Sequence, residues 1–276
     1  MKKIISGSTL KILAMIFMVI DHFGQVVLKN GIILHAPYSM FTDEQFDMLM
    51  STVNICHILG RIAFPVFCFL LVEGFFHTHN LKKYILNLGI FALISEPVYD
   101  LACAGTLFSL GQQNVLFTLL LGLIILTIIK RSHKNVIISF AAIVVGAYIS
   151  YICNLDGWYY GIALISVFYL FYDMPALKYT ASILVMYICG LNFTISGFID
   201  PYFLTAATSL LFISMYNGER GMKMKYFFYI FCIDGYRSDD RYEYGSNVFR
   251  CRYKINRQSV SRSAYSGSAW QLLVRS

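Results

Sequence analysis

Long apolar stretches alternate with short polar ones along most of the chain. The apolar windows fall at about 9–29, 52–76, 83–103, 112–129, 136–153, 158–173, 177–194 and 201–216. A helix of about 20 apolar residues is long enough to cross the hydrocarbon core of a bilayer. The pattern therefore predicts an all-α protein, a polytopic transmembrane helical bundle with eight spans.

One more apolar run begins at Tyr226 and stops after Phe231, which is too short to cross a bilayer. We therefore predict a truncated ninth span and two segments: a transmembrane domain over residues 1–231 and a polar tail over residues 232–276. In the tail, arginine replaces lysine as the main basic residue. Two interpretations are open: a disordered cytoplasmic tail, or a reading-frame change after Phe231.

The composition excludes a soluble domain of ordinary size. The 276 residues are 58% hydrophobic and 13% charged, whereas soluble domains carry about 25% charged residues. The formal net charge of +7 does not indicate nucleic-acid binding, because the basic residues form short clusters between apolar runs. The seven cysteines are scattered without a C-x-x-C pair, so we predict structural thiols.

The sign of the charge alternates between successive loops. One set of loops is basic and carries Lys2, Lys3, Lys11, Lys82, Lys83, Lys130, Arg131, Lys134, Lys178, Arg220, Lys223 and Lys225. The other set has Lys29 as its only basic residue and carries Asp43, Glu44, Asp47, Asp100, Asp156 and Asp200. Basic loops remain in the cytoplasm, so we predict a cytoplasmic N-terminus. The first run ends in Asp21 and His22 rather than in small residues, which predicts a retained span and not a cleaved signal.

Several ionisable residues lie inside the predicted spans, where a charge costs about 2.5–3.5 kcal/mol on insertion scales. They are Asp21, His22, Arg61, Glu73 and Glu96. The span directions place His22, Arg61, Glu96 and Asn114 roughly 3–10 Å inside the outer boundary, because a helix rises 1.5 Å per residue. We therefore predict one polar layer near the outer side of the bundle.

The layer offers the groups that acid–base chemistry needs. Arg61 can neutralise Asp21 or Glu96, and the remaining carboxylate can then orient His22 as a general base toward an amine or hydroxyl. The alternative is an ion-paired network that only fixes the register of the helices.

A second polar cluster lies at the cytoplasmic end of the second span. Glu73, His77, His79, Lys82 and Lys83 are either a site for the phosphates of a cytosolic donor or an ordinary basic loop at the interface. The spacing His77-x-His79 has no third ligand, so no metal is predicted. His35, His57 and His133 are interpreted as interfacial or loop residues.

These motifs resemble, in their order along the chain, those of the TraX family, named for a conjugative-plasmid protein that acetylates the N-terminus of pilin. The resemblance rests on segments 11–22 (KILAMIFMVIDH), 61–74 (RIAFPVFCFLLVEG), 77–80 (HTHN), 95–100 (SEPVYD), 113–118 (QNVLFT), 217–221 (NGERG) and 225–231 (KYFFYIF). The chain is similar as well to membrane-bound acyltransferases, which carry a basic residue ahead of a histidine in the first span. The chain departs from the family after Phe231, where a Tyr-Pro-x-His-Leu stretch is replaced by Cys232 and the polar tail.

The resemblance implies an integral acetyltransferase of the bacterial inner membrane. It would move an acetyl group from cytosolic acetyl-CoA to an amine or hydroxyl acceptor, such as a pilin N-terminus or an envelope component. The implied catalytic residues are His22, Asp21, Arg61 and Glu96. The implied substrate-binding residues are Lys11, Glu73, His77, Asp100 and Asn114.

Two other functions are compatible with the residues. Buried acidic, basic and histidine side chains also form the proton relays of coupled transporters. Transporters often contain paired broken helices in matching halves, and Pro65 and Pro97 have no counterparts in the later spans. The third possibility is a non-catalytic factor of pilus or envelope assembly, in which the polar layer is structural.

Overall fold

The computed structural model describes residues 3–37, 40–190 and 200–222. The regular secondary structure in these ranges is helical. The helices are α1 (Gly7–His22), α2 (Asp43–Gly60), α3 (Ala63–His77), α4 (Leu81–Ala104), α5 (Val115–Arg131), α6 (Val136–Ile152), α7 (Trp158–Leu170), α8 (Pro175–Gly190) and α9 (Pro201–Ser214). A π-helical segment, Phe23–Ile33, continues α1 directly. The all-α prediction is confirmed for the described part, and the predicted ninth span and the tail lie outside it.

Each predicted window contains a helix, and two windows contain a helical pair. The continuous helical stretches Gly7–Ile33, Asp43–His77 and Leu81–Ala104 are long and apolar enough to span a membrane. The apolar helices Val136–Ile152, Trp158–Leu170, Pro175–Cys189 and Pro201–Ser214 are shorter. At 1.5 Å per residue these four extend about 20–26 Å, less than the roughly 30 Å of a typical hydrocarbon core. The number of spans therefore stays a prediction.

The outer surface of the helices is apolar. On α6, Val136, Ile137 and Phe140 are 80%, 79% and 69% exposed, and Leu93 of α4 is 66% exposed. Soluble proteins rarely expose apolar patches of this extent. An apolar outer surface of this kind is typical of a membrane protein.

The break between α2 and α3 follows from one proline. Pro65 has no N–H, and its ring clashes with the carbonyl four residues earlier, which belongs to Arg61. The backbone there tightens, with N–H to O bonds of 3.2 Å from Arg61 to Ile58 and 3.3 Å from Ile62 to Leu59. The second predicted span is therefore two helices, and Arg61 lies at the joint between them.

Two glycines allow α1 and α2 to approach closely. A Cβ atom at Gly60 would lie 2.4 Å from the Cβ atom of Asp21, and one at Gly24 would lie 2.6 Å from the Cβ atom of Cys56. Such distances are shorter than real Cβ contacts, so only glycine fits without movement of the neighbouring helix. The end of α2 is thereby held against the end of α1. Helix α3 occupies the middle of the bundle and packs against α1, α5, α7 and α9.

Candidate functional site

A hydrogen-bonded chain of three ionisable side chains joins α1 to the end of α2. The Asp21 Oδ1 atom lies 2.7 Å from His57 Nδ1, and Arg61 Nη2 lies 2.8 Å from His57 Nε2. Because a guanidinium has only donors, it donates to Nε2, and His57 then donates from Nδ1 to the carboxylate. We call Asp21, His57 and Arg61, together with the nearby His22 and Asp156, the outer cluster.

His57 is one of two members of the outer cluster that the sequence did not predict, and Asp156 is the other. His57 was interpreted as an interfacial or loop residue, yet it lies in α2 and its side chain is only 29% exposed. The available signal was spacing, because residues four apart on a helix lie on the same face, and His57 precedes Arg61 by four positions. The predicted direct contact between Arg61 and Asp21 is replaced by a contact through this imidazole.

The Arg61 guanidinium is also packed against an aromatic side chain. Its Cζ atom lies 5.5 Å from the centre of the Tyr202 ring, and the His57 ring meets the same tyrosine edge-on at 5.7 Å. The Tyr202 hydroxyl donates to Asn54. Helix α9 therefore covers the side of the cluster that α1 leaves open.

Asp156 brings a second carboxylate to the cluster from the loop between α6 and α7. Burial raises the pKa of Asp156 above its usual range, and the neighbouring Arg61 and His22 act in the opposite direction. The loop is anchored, since the Asp156 backbone N–H donates to Gln113 O at 2.9 Å and the Thr118 hydroxyl donates to the Asp156 carbonyl. The sequence indicated Asp156 only as an acidic loop residue.

His22 differs from its predicted environment, because the structure leaves it exposed instead of buried. The reason is the helical repeat, since neighbouring residues point about 100° apart. Asp21 faces His57, so His22 is turned away from that contact. Asp156 and His22 lie within electrostatic range of each other.

Glu96 belongs to a separate group at the start of α5. One carboxylate oxygen of Glu96 accepts from the Asn114 backbone N–H at 3.0 Å and also from the Asn114 side-chain amide. Asn114 caps α5 by accepting from Leu116 N–H and donates to Ala92 O at 2.9 Å. Of the two partners that the sequence allowed for Arg61, Asp21 or Glu96, the described residues therefore do not show Glu96 in contact with it. Glu96 instead fixes the junction of α4 and α5.

Asp100 likewise organises the loop that leads to α5. It is 2% exposed, and its Oδ2 atom accepts from the Ser109 N–H at 2.8 Å. The single predicted layer is thus two groups of side chains. They are joined by the backbone contacts between residues 113 and 154–156.

The second polar cluster, which is named the cytoplasmic cluster after its predicted side, centres on a buried carboxylate. Glu73 is 7% exposed, and its Oε2 atom accepts from the Tyr216 hydroxyl at 3.3 Å. The Tyr172 hydroxyl interacts with the same carboxylate. His77, four residues further along α3, has its Nδ1 atom 2.8 Å from the Glu73 carbonyl.

A buried lysine lies within electrostatic range of this carboxylate. Lys178 is 9% exposed, and its Nζ atom lies 5.7, 5.5 and 5.4 Å from the ring centres of Phe69, Tyr172 and Tyr179. It donates one long hydrogen bond of 3.5 Å to Tyr172 O. Sequence reasoning used Lys178 only as a topology marker and missed its burial.

The predicted basic residues at this end divide into two kinds. Lys11 is half-buried in α1, within electrostatic range of Arg220. His79, Lys82 and Lys83 are exposed. Lys11 precedes Asp21 by ten positions in the same chain, which corresponds to roughly 15 Å along the helix. The outer and cytoplasmic clusters therefore lie at different depths of one bundle.

Comparison with known proteins gives a family and a partial relative. The family model described as TraX protein matches residues 6–233. The chain is 33% identical over 138 residues to the "Probable fimbrial assembly protein FimC, serogroup H1" of Dichelobacter nodosus, a match that covers 48% of this chain and 49% of the relative. The chain thus spans about half the length of that curated relative. No solved structure matches it.

Proposed function

Because this chain belongs to the TraX family, we propose that it is an integral membrane acetyltransferase that acts in pilus or envelope biogenesis. The donor is cytosolic acetyl-CoA, and the acceptor is an amine or hydroxyl, such as a pilin N-terminus or an envelope component. The protein lies in the bacterial inner membrane with its N-terminus in the cytoplasm, as the alternation of basic and acidic loops favours. Its apolar outer surface contacts membrane lipid.

The observation that carries the proposal is the Asp21–His57–Arg61 chain at the level of His22. Acyl transfer needs a base for the proton of the acceptor and a positive group where negative charge develops. His22 is an exposed imidazole near Asp156, and Arg61 is a fixed cation held by a 2.8 Å hydrogen bond. These two side chains supply both requirements at one end of the bundle.

The transfer proceeds by addition and elimination. The acceptor nitrogen or oxygen attacks the thioester carbonyl carbon while His22 takes the acceptor proton, and the electron pair of the C=O π bond moves to oxygen. The positive charge of Arg61 stabilises this oxyanion. Collapse reforms the carbonyl and breaks the C–S bond, and the leaving thiolate takes the proton from His22.

The cytoplasmic cluster is proposed to hold the phosphates of the donor. Lys11, Lys178 and Arg220 are cations close to the predicted cytoplasmic side, and Lys178 is buried with one long hydrogen bond. The pantetheine arm of CoA separates its thioester from its phosphates, which suits two clusters at different depths. Glu73, with His77 and the two tyrosines, positions these cations.

A labelling assay tests the function. Membranes containing the full chain are incubated with labelled acetyl-CoA in the presence of pilin or envelope acceptors. We expect incorporation by the wild type and a loss of about 100-fold or more in His22→Asn, because general base catalysis contributes about 10²–10⁴-fold. His133→Asn is the matched control, since His133 is exposed in a loop with φ of 51°, a conformation that asparagine tolerates.

The second candidate is a non-catalytic assembly factor, since the partial relative is named as a probable fimbrial assembly protein. In that case cells carrying His22→Asn would still assemble pili at the wild-type level. Wild-type membranes that label no more than empty membranes would refute the acetyltransferase and leave this candidate.

A further inference from the structure

Two buried polar atoms near the outer cluster have no hydrogen-bond partner among the described residues. They are the Nε atom of Arg61 and the hydroxyl of Tyr160 in α7. A buried donor that is left unpaired is unfavourable, and in native proteins it calls for an explanation such as a bound group. Neither atom takes part in the chain that links Arg61 to Asp21.

The two atoms belong to one local unit of the fold. Arg61 and the Tyr160 phenol lie within electrostatic range of each other. Phe64, in the first turn of α3, packs its ring 5.5 Å from that of Tyr160. A Cβ atom at Gly157 or Gly161 would lie 2.5 or 2.7 Å from Phe64 Cζ. The start of α7 is therefore locked against the start of α3, and the phenol is held in place before any ligand arrives.

The chemistry of the pair defines what it can bind. The Arg61 Nε–H group can only donate, and a phenol can donate as well. A single group that satisfies both must be an acceptor, such as a carbonyl oxygen or an oxyanion. His57 occupies Nη2 of the same guanidinium, which fixes its plane and leaves Nε for a ligand.

We infer that Tyr160 is a further catalytic residue, and that its hydroxyl and Arg61 Nε–H together bind the oxygen of the thioester carbonyl. This inference rests on the proposed function. As the acceptor attacks the carbonyl carbon and His22 takes its proton, the C=O electron pair moves onto this oxygen, which both donors then hold. When the oxyanion collapses, the C–S bond breaks and the thiolate leaves with the proton from His22. His57 is a positioning residue that acts through Arg61.

The test compares Tyr160→Phe with Tyr159→Phe in the full-length protein. Both variants remove one hydroxyl from adjacent residues of α7, but Tyr159 is 40% exposed. Removing one donor of an oxyanion site lowers kcat about 10²–10³-fold. We expect that loss for Tyr160→Phe with an unchanged KM for acetyl-CoA, and wild-type kinetics for Tyr159→Phe. Since the Tyr160 hydroxyl has no partner among the described residues, the thermal midpoint of Tyr160→Phe should be unchanged or higher.

Three outcomes would overturn the inference. Full kcat in Tyr160→Phe would show that the phenol does not touch the reacting oxygen. A lowered thermal midpoint, or a raised KM with unchanged kcat, would show a structural or ground-state role. Failure of the wild type itself to transfer acetyl groups would refute the proposed function and this inference together, a pattern that differs from the first two.

Discussion

Replacing His57 with alanine removes the one side chain that connects Asp21 to Arg61. Its ring makes hydrogen bonds of 2.7 and 2.8 Å to two charged groups. A hydrogen bond to a charged group contributes about 1.5–3 kcal/mol. The His57 and Asp21 side chains are 29% and 25% exposed, so water compensates part of the loss. We therefore expect His57→Ala to lower the free energy of unfolding by about 2–4 kcal/mol.

The activity should fall for a separate reason. Without His57, the Arg61 guanidinium is no longer held by its Nη2 atom, so it loses the orientation that the proposed reaction uses. His57→Gln retains a polar side chain that can contact one of the two partners, and it should recover part of both losses. Unfolding is measured in detergent by thermal and chemical denaturation, and activity by incorporation of labelled acetyl groups.

A double-mutant cycle distinguishes the stabilisation by the Asp21–His57–Arg61 hydrogen bonds from a general packing effect of His57. If Asp21 acts through His57, Asp21→Asn should cost much less in the His57→Ala background than in the wild type, and residues in one network couple by about 0.5–3 kcal/mol. Two outcomes would show that these hydrogen bonds do not stabilise the protein. One is additive effects of the two substitutions, and the other is a change in the free energy of unfolding below about 0.5 kcal/mol for His57→Ala.

Three further predictions concern the packing, the donor and the pH dependence. Gly60→Ala should destabilise the protein by about 1–3 kcal/mol through overpacking, because its Cβ atom would lie 2.4 Å from a side chain of α1. Gly89→Ala, whose nearest contact is 3.6 Å, is the neutral control. Equal thermal midpoints for the two variants would contradict this prediction. Lys178→Met should raise the KM for acetyl-CoA about 10-fold with little change in kcat, because a lost contact that holds substrate and transition state equally changes KM alone. Lys29→Met, at a lysine of the opposite set of loops, should change neither value, and equal KM values for the two variants would remove Lys178 from the donor site. The folded-state pKa of Asp156 is raised by burial, so its folded form binds more protons and stability falls as pH rises above the usual pKa of about 3.9. Asp156→Asn should therefore be more stable than the wild type at pH 7 and equally stable below about pH 4, and a constant difference in thermal midpoint across that range would refute the assignment.

Hydropathy was sufficient to predict the helices because a bilayer strongly restricts the backbone. Every backbone polar group inside a bilayer must be satisfied within the helix, so apolar windows and helices coincide, as 136–153 and Val136–Ile152 do. The break at Arg61 could also be deduced from Pro65, whose ring excludes the carbonyl four residues earlier. Charge alternation and apolar length do not encode which helices become neighbours.

That missing information explains the errors in the site. Glu96 was predicted near Arg61 from depth alone, but depth does not specify the angular position of α4 in the bundle. Its carboxylate meets the N-terminal cap of α5 instead. The alternation of acidic and basic loops already accounts for Asp156 and Lys178. Nothing else in the sequence indicated that each also belongs to a cluster. His57 did have one, since it lies four residues before Arg61 in α2.

The arrangement of charges in the outer cluster now assigns separate tasks to the two carboxylates. Asp21 is engaged by His57 at 2.7 Å, and through that imidazole it balances the positive charge of Arg61. The carboxylate left to interact with His22 is therefore Asp156, which lies within electrostatic range of both His22 and Arg61. The two carboxylates of the outer cluster therefore have different surroundings: Asp21 is hydrogen-bonded to His57, whereas Asp156 lies in a loop within electrostatic range of His22 and Arg61. On the proposed function, Asp156 is the carboxylate that can orient His22 as the base.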